Sequence, residues 1–270
     1  MRRQETEGER FYSVSWLLST AFYQQLSMKF LRLLFISALF IAPMSAVSFA
    51  APKVPEKLVY TLSWTGIAVG VATQEIVDEG DVRRIFSTAR SNDWLSTFFP
   101  VDDRTESILE KNGEFPGRAR NFKMLFKEGT RVRDREITFN PATKTALYVD
   151  RQKKQQHTIP LPKETFDIYS SFYYVRYQKL EPGTSLFINL LDSKKLHRIE
   201  VRVLRRERIK VPAGEFNTIV IEPMVKPEGV FEGKRGAYIW LSDDSRRIPV
   251  KAQTKVRVGS VTAELTGGNY

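Results

Sequence analysis

The chain has 270 residues, with 42 Lys and Arg against 31 Asp and Glu and a formal net charge of +11 at pH 7. It contains no cysteine, which excludes disulfides, a thiolate nucleophile, a Cys-ligated metal and a lipidated cysteine. The cationic excess favours anionic partners.

In chain order, the first informative segment is Met28 to Ala50. Met28-Lys29-Phe30-Leu31-Arg32 is a short cationic start, Leu33 to Ala42 is an uncharged and mostly apolar run, and Pro43 breaks it. Ser48-Phe49-Ala50 then places small residues at the two positions an export peptidase reads. This is the layout of a secretory signal peptide with cleavage after Ala50. Residues 1–27, which carry charges of both signs, then read as a leader from a start codon assigned too early. The alternative is an inner-membrane anchor through Leu33 to Ala50, at the short limit for a spanning helix. Pro43, Ser37, Ser45 and Ser48 argue against it. Export to the periplasm makes nucleic acid a poor partner. It leaves lipids, acidic envelope glycans and other envelope proteins.

Residues 51–270 suit one β-rich domain. Short strands alternate with turn signals. They are Leu58 to Trp64, Ile67 to Val77, Val82 to Ser91, Ser107 to Glu110, Arg118 to Phe126, Val132 to Phe139 and Lys144 to Val149. After a break come Ser185 to Leu191, His197 to Lys210, Phe216 to Glu222, Gly236 to Leu241, Val250 to Val258 and Val261 to Leu265. Gly66 and Gly70 suit a bulge or sharp bend in a curved sheet, and Asn112-Gly113 suits a hairpin turn. Thr165 to Leu180 differs: Phe166, Tyr169, Phe172, Tyr173 and Arg176 recur at helical spacing, and Pro182-Gly183 stops the run. The expected fold class is all-β with one helix. A strongly curved antiparallel sheet, barrel or half-barrel like, is covered by one amphipathic helix.

Five patterns in order carry a family resemblance. They are Tyr60-x-x-x-Trp64-x-Gly66-Ile67-x-x-Gly70; Asp167-x-x-Ser170-x-Phe172-Tyr173-Tyr174-x-Arg176; Val211-Pro212-Ala213-Gly214-x-Phe216-x-Thr218; Ile239-Trp240-Leu241-Ser242-x-Asp244; and Arg247-x-Pro249-Val250. Over Leu58 to Leu265 the chain resembles the exported bacterial family known as domain of unknown function 3108. The resemblance implies an envelope location and a barrel-like antiparallel fold, with no agreed activity. The Trp240 to Val250 strand pair is also similar to one in periplasmic lipoprotein carriers, which are half-barrels with an apolar hollow.

Candidate chemistry is sparse. His157 and His197 are the only histidines, and each lies beside a lysine pair that would oppose a bound dication. No Gly-x-Ser-x-Gly elbow and no Gly-x-x-x-x-Gly-Lys-Ser/Thr phosphate loop occurs, so no metal, no cofactor and no catalytic residue is assigned. Asp102-Asp103 with Glu106 is the best carboxylate cluster for acid–base work. Pro100 and Arg104 beside it favour solvated carboxylates in a surface loop, and hydrolysis of glycans or lipids stays a weaker alternative. Arg202, Arg206, Arg208 and Lys210 share one strand parity and form a candidate anion-contacting strip, with Val201, Val203 and Arg205 on the other side. Trp94, Phe98 and Phe99, with Phe166, Tyr169, Phe172 and Tyr173, are candidate cavity-lining aromatics. The expected function is non-catalytic binding of an apolar or amphiphilic ligand in the envelope. The alternative is a structural or assembly partner acting through a sheet edge.

Overall fold

The computed structural model describes residues 53–224, 236–256 and 258–270. The expected leader, export signal and anchor alternative lie outside the described residues. Strand propensity and alternating burial drive nearly all the structure. β1 (Glu56–Trp64), for example, buries Glu56, Leu58, Tyr60 and Leu62 while the residues between them face outward.

Next come β2 (Ile67–Glu79), β3 (Val82–Ser91), α1 (Asp93–Ser96), β4 (Val101–Glu110), β5 (Arg118–Glu128), β6 (Arg131–Asn140), β7 (Thr145–Asp150) and β8 (Gln155–Pro160). The two-residue β9 (Thr165–Phe166) precedes α2 (Ile168–Arg176). β10 (Ser185–Asp192), β11 (Lys195–Val211), β12 (Gly214–Met224), β13 (Ala237–Ser242), β14 (Pro249–Lys255) and β15 (Ser260–Asn269) complete the chain.

All fifteen strands join one sheet, in the order β8-β7-β6-β5-β4-β3-β2-β1-β15-β14-β13-β12-β11-β10-β9. The sheet grows outward in two arms from the pairing of β1 with β15, where Tyr60 faces Leu265 and Leu62 faces Ala263. Every ladder is antiparallel except the short β9–β10 pair. The sheet is curved and unclosed, because β8 and β9 stay unpaired with each other. Register shifts between Leu62 and Ser63 and between Val203 and Arg205 add local twist. Gly70 sits at the first of these. A Cβ there would stand 2.2 Å from the Arg90 carbonyl oxygen, so only glycine allows β2 and β3 to approach.

α2 fills the concave side of the sheet. Asp167 caps its first turn, accepting from the backbone N–H groups of Tyr169 (2.9 Å) and Ser170 (3.1 Å). Tyr169, Phe172, Tyr173 and Val175 then enter the core. No helix among the described residues is long and apolar enough to cross a membrane.

Some expected boundaries move. β4 begins at Val101, not Ser107, because Val101, Asp103 and Thr105 continue the pairing with β5 and β3. β8 was absent from the expected strands because Gln155 to His157 are polar, and they stand on an exposed edge where sheet pairing, not burial, holds them. Residues 111–117 form a longer connection than the hairpin expected from Asn112-Gly113.

Candidate functional site

The interior is the natural place to seek a ligand chamber, and α2 occupies it. Arg176 is fully buried and forms a two-pronged ion pair with Glu56, at 2.8 Å to Oε1 and 2.7 Å to Oε2. Tyr173 Oη donates to Glu56 Oε1 (2.9 Å), and Arg176 also donates to the carbonyls of Arg247 (2.9 Å) and Arg246 (3.2 Å). Burial alone would lower the Arg176 pKa, but hydrogen bonds to Glu56 and its charge outweigh that and hold the guanidinium firmly protonated. At the other end of α2, buried Asp167 accepts from Ser107 Oγ (2.8 Å) and Ser170 Oγ (2.9 Å). Between α2 and β10–β13 lies an apolar cavity of about 30 Å³, with Phe172, Val175, Ile199 and Ile239 among its walls. That is room for about one water molecule, against several hundred Å³ for a typical ligand pocket.

The seven expected cavity aromatics therefore part company. Phe172 lines the small cavity, Tyr169 and Tyr173 are core residues, and Phe166 packs against Tyr174 at 4.7 Å between ring centroids. Trp94 and Phe98 do not line the interior: they are 47% and 80% exposed. Phe99, next in sequence, is half-buried over Gly129 in the β5–β6 turn, where a Cβ would meet its ring at 3.0 Å.

Trp94 and Phe98 belong to an apolar rim that sequence spacing did not reveal. Because neighbouring strands alternate in direction, the turns β1–β2, β3–β4, β5–β6, β7–β8, β10–β11 and β14–β15 all open at one end of the sheet. At this end Trp64 faces Ile67 across the β1–β2 turn, and its indole Nε1 donates to the Val258 carbonyl in the β14–β15 turn (2.9 Å). Trp94 Nε1 donates to the Ala68 carbonyl (3.1 Å), and Asn92 Nδ2 donates to the same oxygen (2.9 Å). These bonds tie α1 to the β1–β2 tip and satisfy the only polar atom of each indole. What remains toward solvent is hydrocarbon. Ile67 is 60% and Val258 67% exposed. The sequence signal available was apolar residues flanking the Thr65-Gly66 turn, but only β1–β15 pairing brings Val258 beside Trp64.

The expected basic strip divides. Leu204 is an extra residue in β11, so Val203 faces Ile221 and Arg205 faces Val220. Arg202 and Arg205 consequently share one face, while Arg206, Arg208 and Lys210 share the other. The single parity expected from the sequence is thus broken by the bulge. Acids also neutralise the strip: Arg202 pairs with Glu200, Arg206 with Asp243 and Glu181, and Arg208 with Glu215.

The carboxylate cluster is likewise dispersed by strand alternation. Asp102, Asp103 and Glu106 lie on β4 and not in a loop. Asp102 faces outward between Arg90 and Arg104, and Glu106 pairs with Arg84. Asp103 is buried inward and accepts from the Lys127 backbone N–H (3.1 Å). His157 lies on the exposed β8 edge, stacked near Tyr148 at 6.2 Å, and His197 stands on β11. No group of three or more His, Cys, Asp or Glu side chains among the described residues could hold a metal ion.

Comparison with known proteins agrees with the fold. A β-barrel-like protein of domain of unknown function DUF1849 from Brucella abortus is similar over 82% of this chain and 99% of its own, at 11% identity and a TM-score of 0.54. A DUF1089 family protein from Pseudomonas aeruginosa is similar over 81% of this chain and 95% of its own, at 12% identity and a TM-score of 0.36. Among curated proteins no sequence matches. The model of a protein family of unknown function, DUF3108, matches residues 59–266, from β1 through most of β15, and the chain belongs to that family.

Proposed function

We propose that this chain is an exported, non-catalytic envelope protein that holds amphiphilic, lipid-like molecules at its apolar rim instead of in an interior chamber. The observation that carries the reading is the rim itself. Trp64, Ile67, Trp94, Phe98 and Val258 expose hydrocarbon at the tips of adjoining turns, with both indole N–H groups already bonded inside the protein. Clustered exposed apolar side chains mark interaction sites. Aromatic rings suit the boundary between water and acyl chains. The cavity between α2 and β10–β13 favours the rim over that site, since at about 30 Å³ it is far too small for an acyl chain.

Tryptophan fluorescence tests it. Titration with micelles of a zwitterionic short-chain phospholipid should shift the emission to the blue. Trp94→Ser with Phe98→Ser should abolish most of the binding without unfolding the sheet. An unshifted spectrum for the native protein above the micelle concentration would refute the proposal.

A second reading, an assembly partner for envelope proteins, is favoured by β8. Among the described residues its six residues pair with β7 alone, which leaves the backbone groups on its other side for an added strand. Thr158→Pro would block such an addition, and loss of a co-purifying protein from that variant is the result it requires.

A further inference from the structure

The rim shares its end of the sheet with a set of cations that the activity proposed above does not require. Arg131 follows the β5–β6 turn on which Phe99 packs, and Lys255 closes β14 beside the Val258 turn. Both are exposed, and Arg131 also adds its charge to that of Arg133 near Glu128. Farther round the same end, the β7–β8 turn exposes Lys153 and Lys154, and the β10–β11 turn exposes Lys194. Across the open seam, Arg135 of β6, paired with Asp150 beside the β7–β8 turn, donates to Ser193 Oγ in the β10–β11 turn (3.2 Å).

Among the described residues, acids at this end are mostly buried or paired, and Asp102 at the start of β4 pairs with Arg90 and Arg104. Glu128 is buried and paired with Arg133, and Asp150 is buried and paired with Arg135. Asp93 is the exposed exception. The opposite end has no such bias: Asp81, Glu114, Glu164 and Glu181 stand among Lys111, Lys163 and Lys179. There Asp243 and Asp244 pair with Arg247 and Arg246. Among the described residues, one end of the strands is therefore both apolar and cationic and the other is balanced.

We infer that the domain docks end-on upon an anionic phospholipid bilayer. This rests on the rim reading above and names the form in which the amphiphile is met. Trp64, Trp94 and Phe98, with Ile67 and Val258, enter the headgroup boundary, where aromatic and aliphatic side chains gain by leaving water. Arg131 and Lys255 flank them at the level of the phosphates, and the lysines of the β7–β8 and β10–β11 turns extend the cationic surface. A zwitterionic surface would use the rim alone. An anionic one uses both halves of this end, and each cation near such a surface strengthens binding about fivefold. A protein partner would need matching acids around an apolar patch and is treated as a competing outcome.

Co-sedimentation of the purified protein with vesicles tests the inference, using phosphatidylcholine alone and phosphatidylcholine with roughly one-third phosphatidylglycerol, in low salt and in about 0.5 M salt. Binding to the anionic vesicles should be at least about tenfold tighter and should weaken in high salt. Arg131→Glu with Lys255→Glu should remove about tenfold or more of that affinity while leaving micelle binding unchanged. Lys153→Glu with Lys154→Glu is an independent second variant and should act in the same direction. Melting curves for each variant exclude unfolding. Equal affinity for the two vesicle types, or indifference to both charge reversals, overturns this inference and leaves the rim reading standing. Loss of micelle binding in the native protein overturns the rim reading itself. A dimer in solution that Phe98→Ser converts to a monomer, with no vesicle binding by either, would assign the rim to self-association and overturn both.

Discussion

Glu56 and Arg176 decide whether the inside of the curved sheet is permanently filled. Both are buried, and their ion pair joins the first residue of β1 to the last residue of α2. Breaking such a pair from one side leaves an uncompensated charge out of water, at a cost of about 3–5 kcal/mol. Arg176→Met strands the Glu56 carboxylate, and Glu56→Gln strands the guanidinium. Each single change should therefore lower the melting temperature by roughly 6–20 °C for a domain of this size. The double variant no longer contains an unpaired charge. It still loses the bonds to the Arg246 and Arg247 carbonyls, at about 1 kcal/mol each. It should be less destabilised than the sum of the singles, by a coupling of at least about 2 kcal/mol. Urea denaturation of the four proteins completes the cycle. Strictly additive single effects would refute the reasoning. They would mean that α2 is not pinned by this pair and that the helix could leave the interior to admit a ligand.

Asp167 should shape the pH dependence of stability. Burial raises its pKa, and hydrogen bonds from Ser170, Ser107 and Tyr169 offset that only in part. A carboxyl that holds its proton more tightly when folded contributes stability at acid pH, which is lost as the pH rises through its folded value. Asp78 and Glu200, held low by hydrogen bonds from Arg83 and Arg202, act in the opposite sense and lose their contribution as pH falls through their folded values. Asp167→Asn should thus flatten the alkaline-going loss, leave the acid limb unchanged and cost about 1–3 kcal/mol, because an amide cannot accept from all four donors. Urea midpoints between about pH 3 and about pH 8 would reveal an unchanged profile if this is wrong. Gly70→Ala should destabilise by about 1–3 kcal/mol or more, since the new methyl group meets the Arg90 carbonyl oxygen. A melting point equal to that of the native protein would refute that clash. Phe98→Ser, by contrast, should leave the melting point within about 0.5 kcal/mol equivalent, because its ring packs on nothing that folding needs.

The placing of functional candidates follows from the strands. A two-residue period puts Asp102 and Asp103 on opposite faces of β4, so neighbours in sequence become a surface ion pair and a core carboxylate. Phe98 and Phe99, in the turn between α1 and β4, also part: the first is exposed, and the second is half-buried against Gly129. Adjacent residues in a β protein are poor candidates for one site, whereas residues at the tips of different hairpins, such as Trp64, Trp94 and Val258, are good ones.

The sequence by itself determined the fold class, most of the strands and the presence of a helix within Thr165 to Leu180, though Thr165 and Phe166 form β9 and the helix spans only Ile168–Arg176. Alternation, turn residues and helical spacing are local signals, and local backbone preference is enough to express them. It also determined the glycine bulge at Gly70, because close backbone approach tolerates no other residue. The tertiary structure alone decided which aromatics are core and which are rim. It also decided that Leu204 breaks the parity of the arginine strip, and that Glu56 and Arg176, 120 positions apart, form one buried pair. Those outcomes depend on strand register and on which turns share an end of the sheet. Both arise from long-range pairing such as β1 with β15, which leaves no trace in the spacing of residues along the chain.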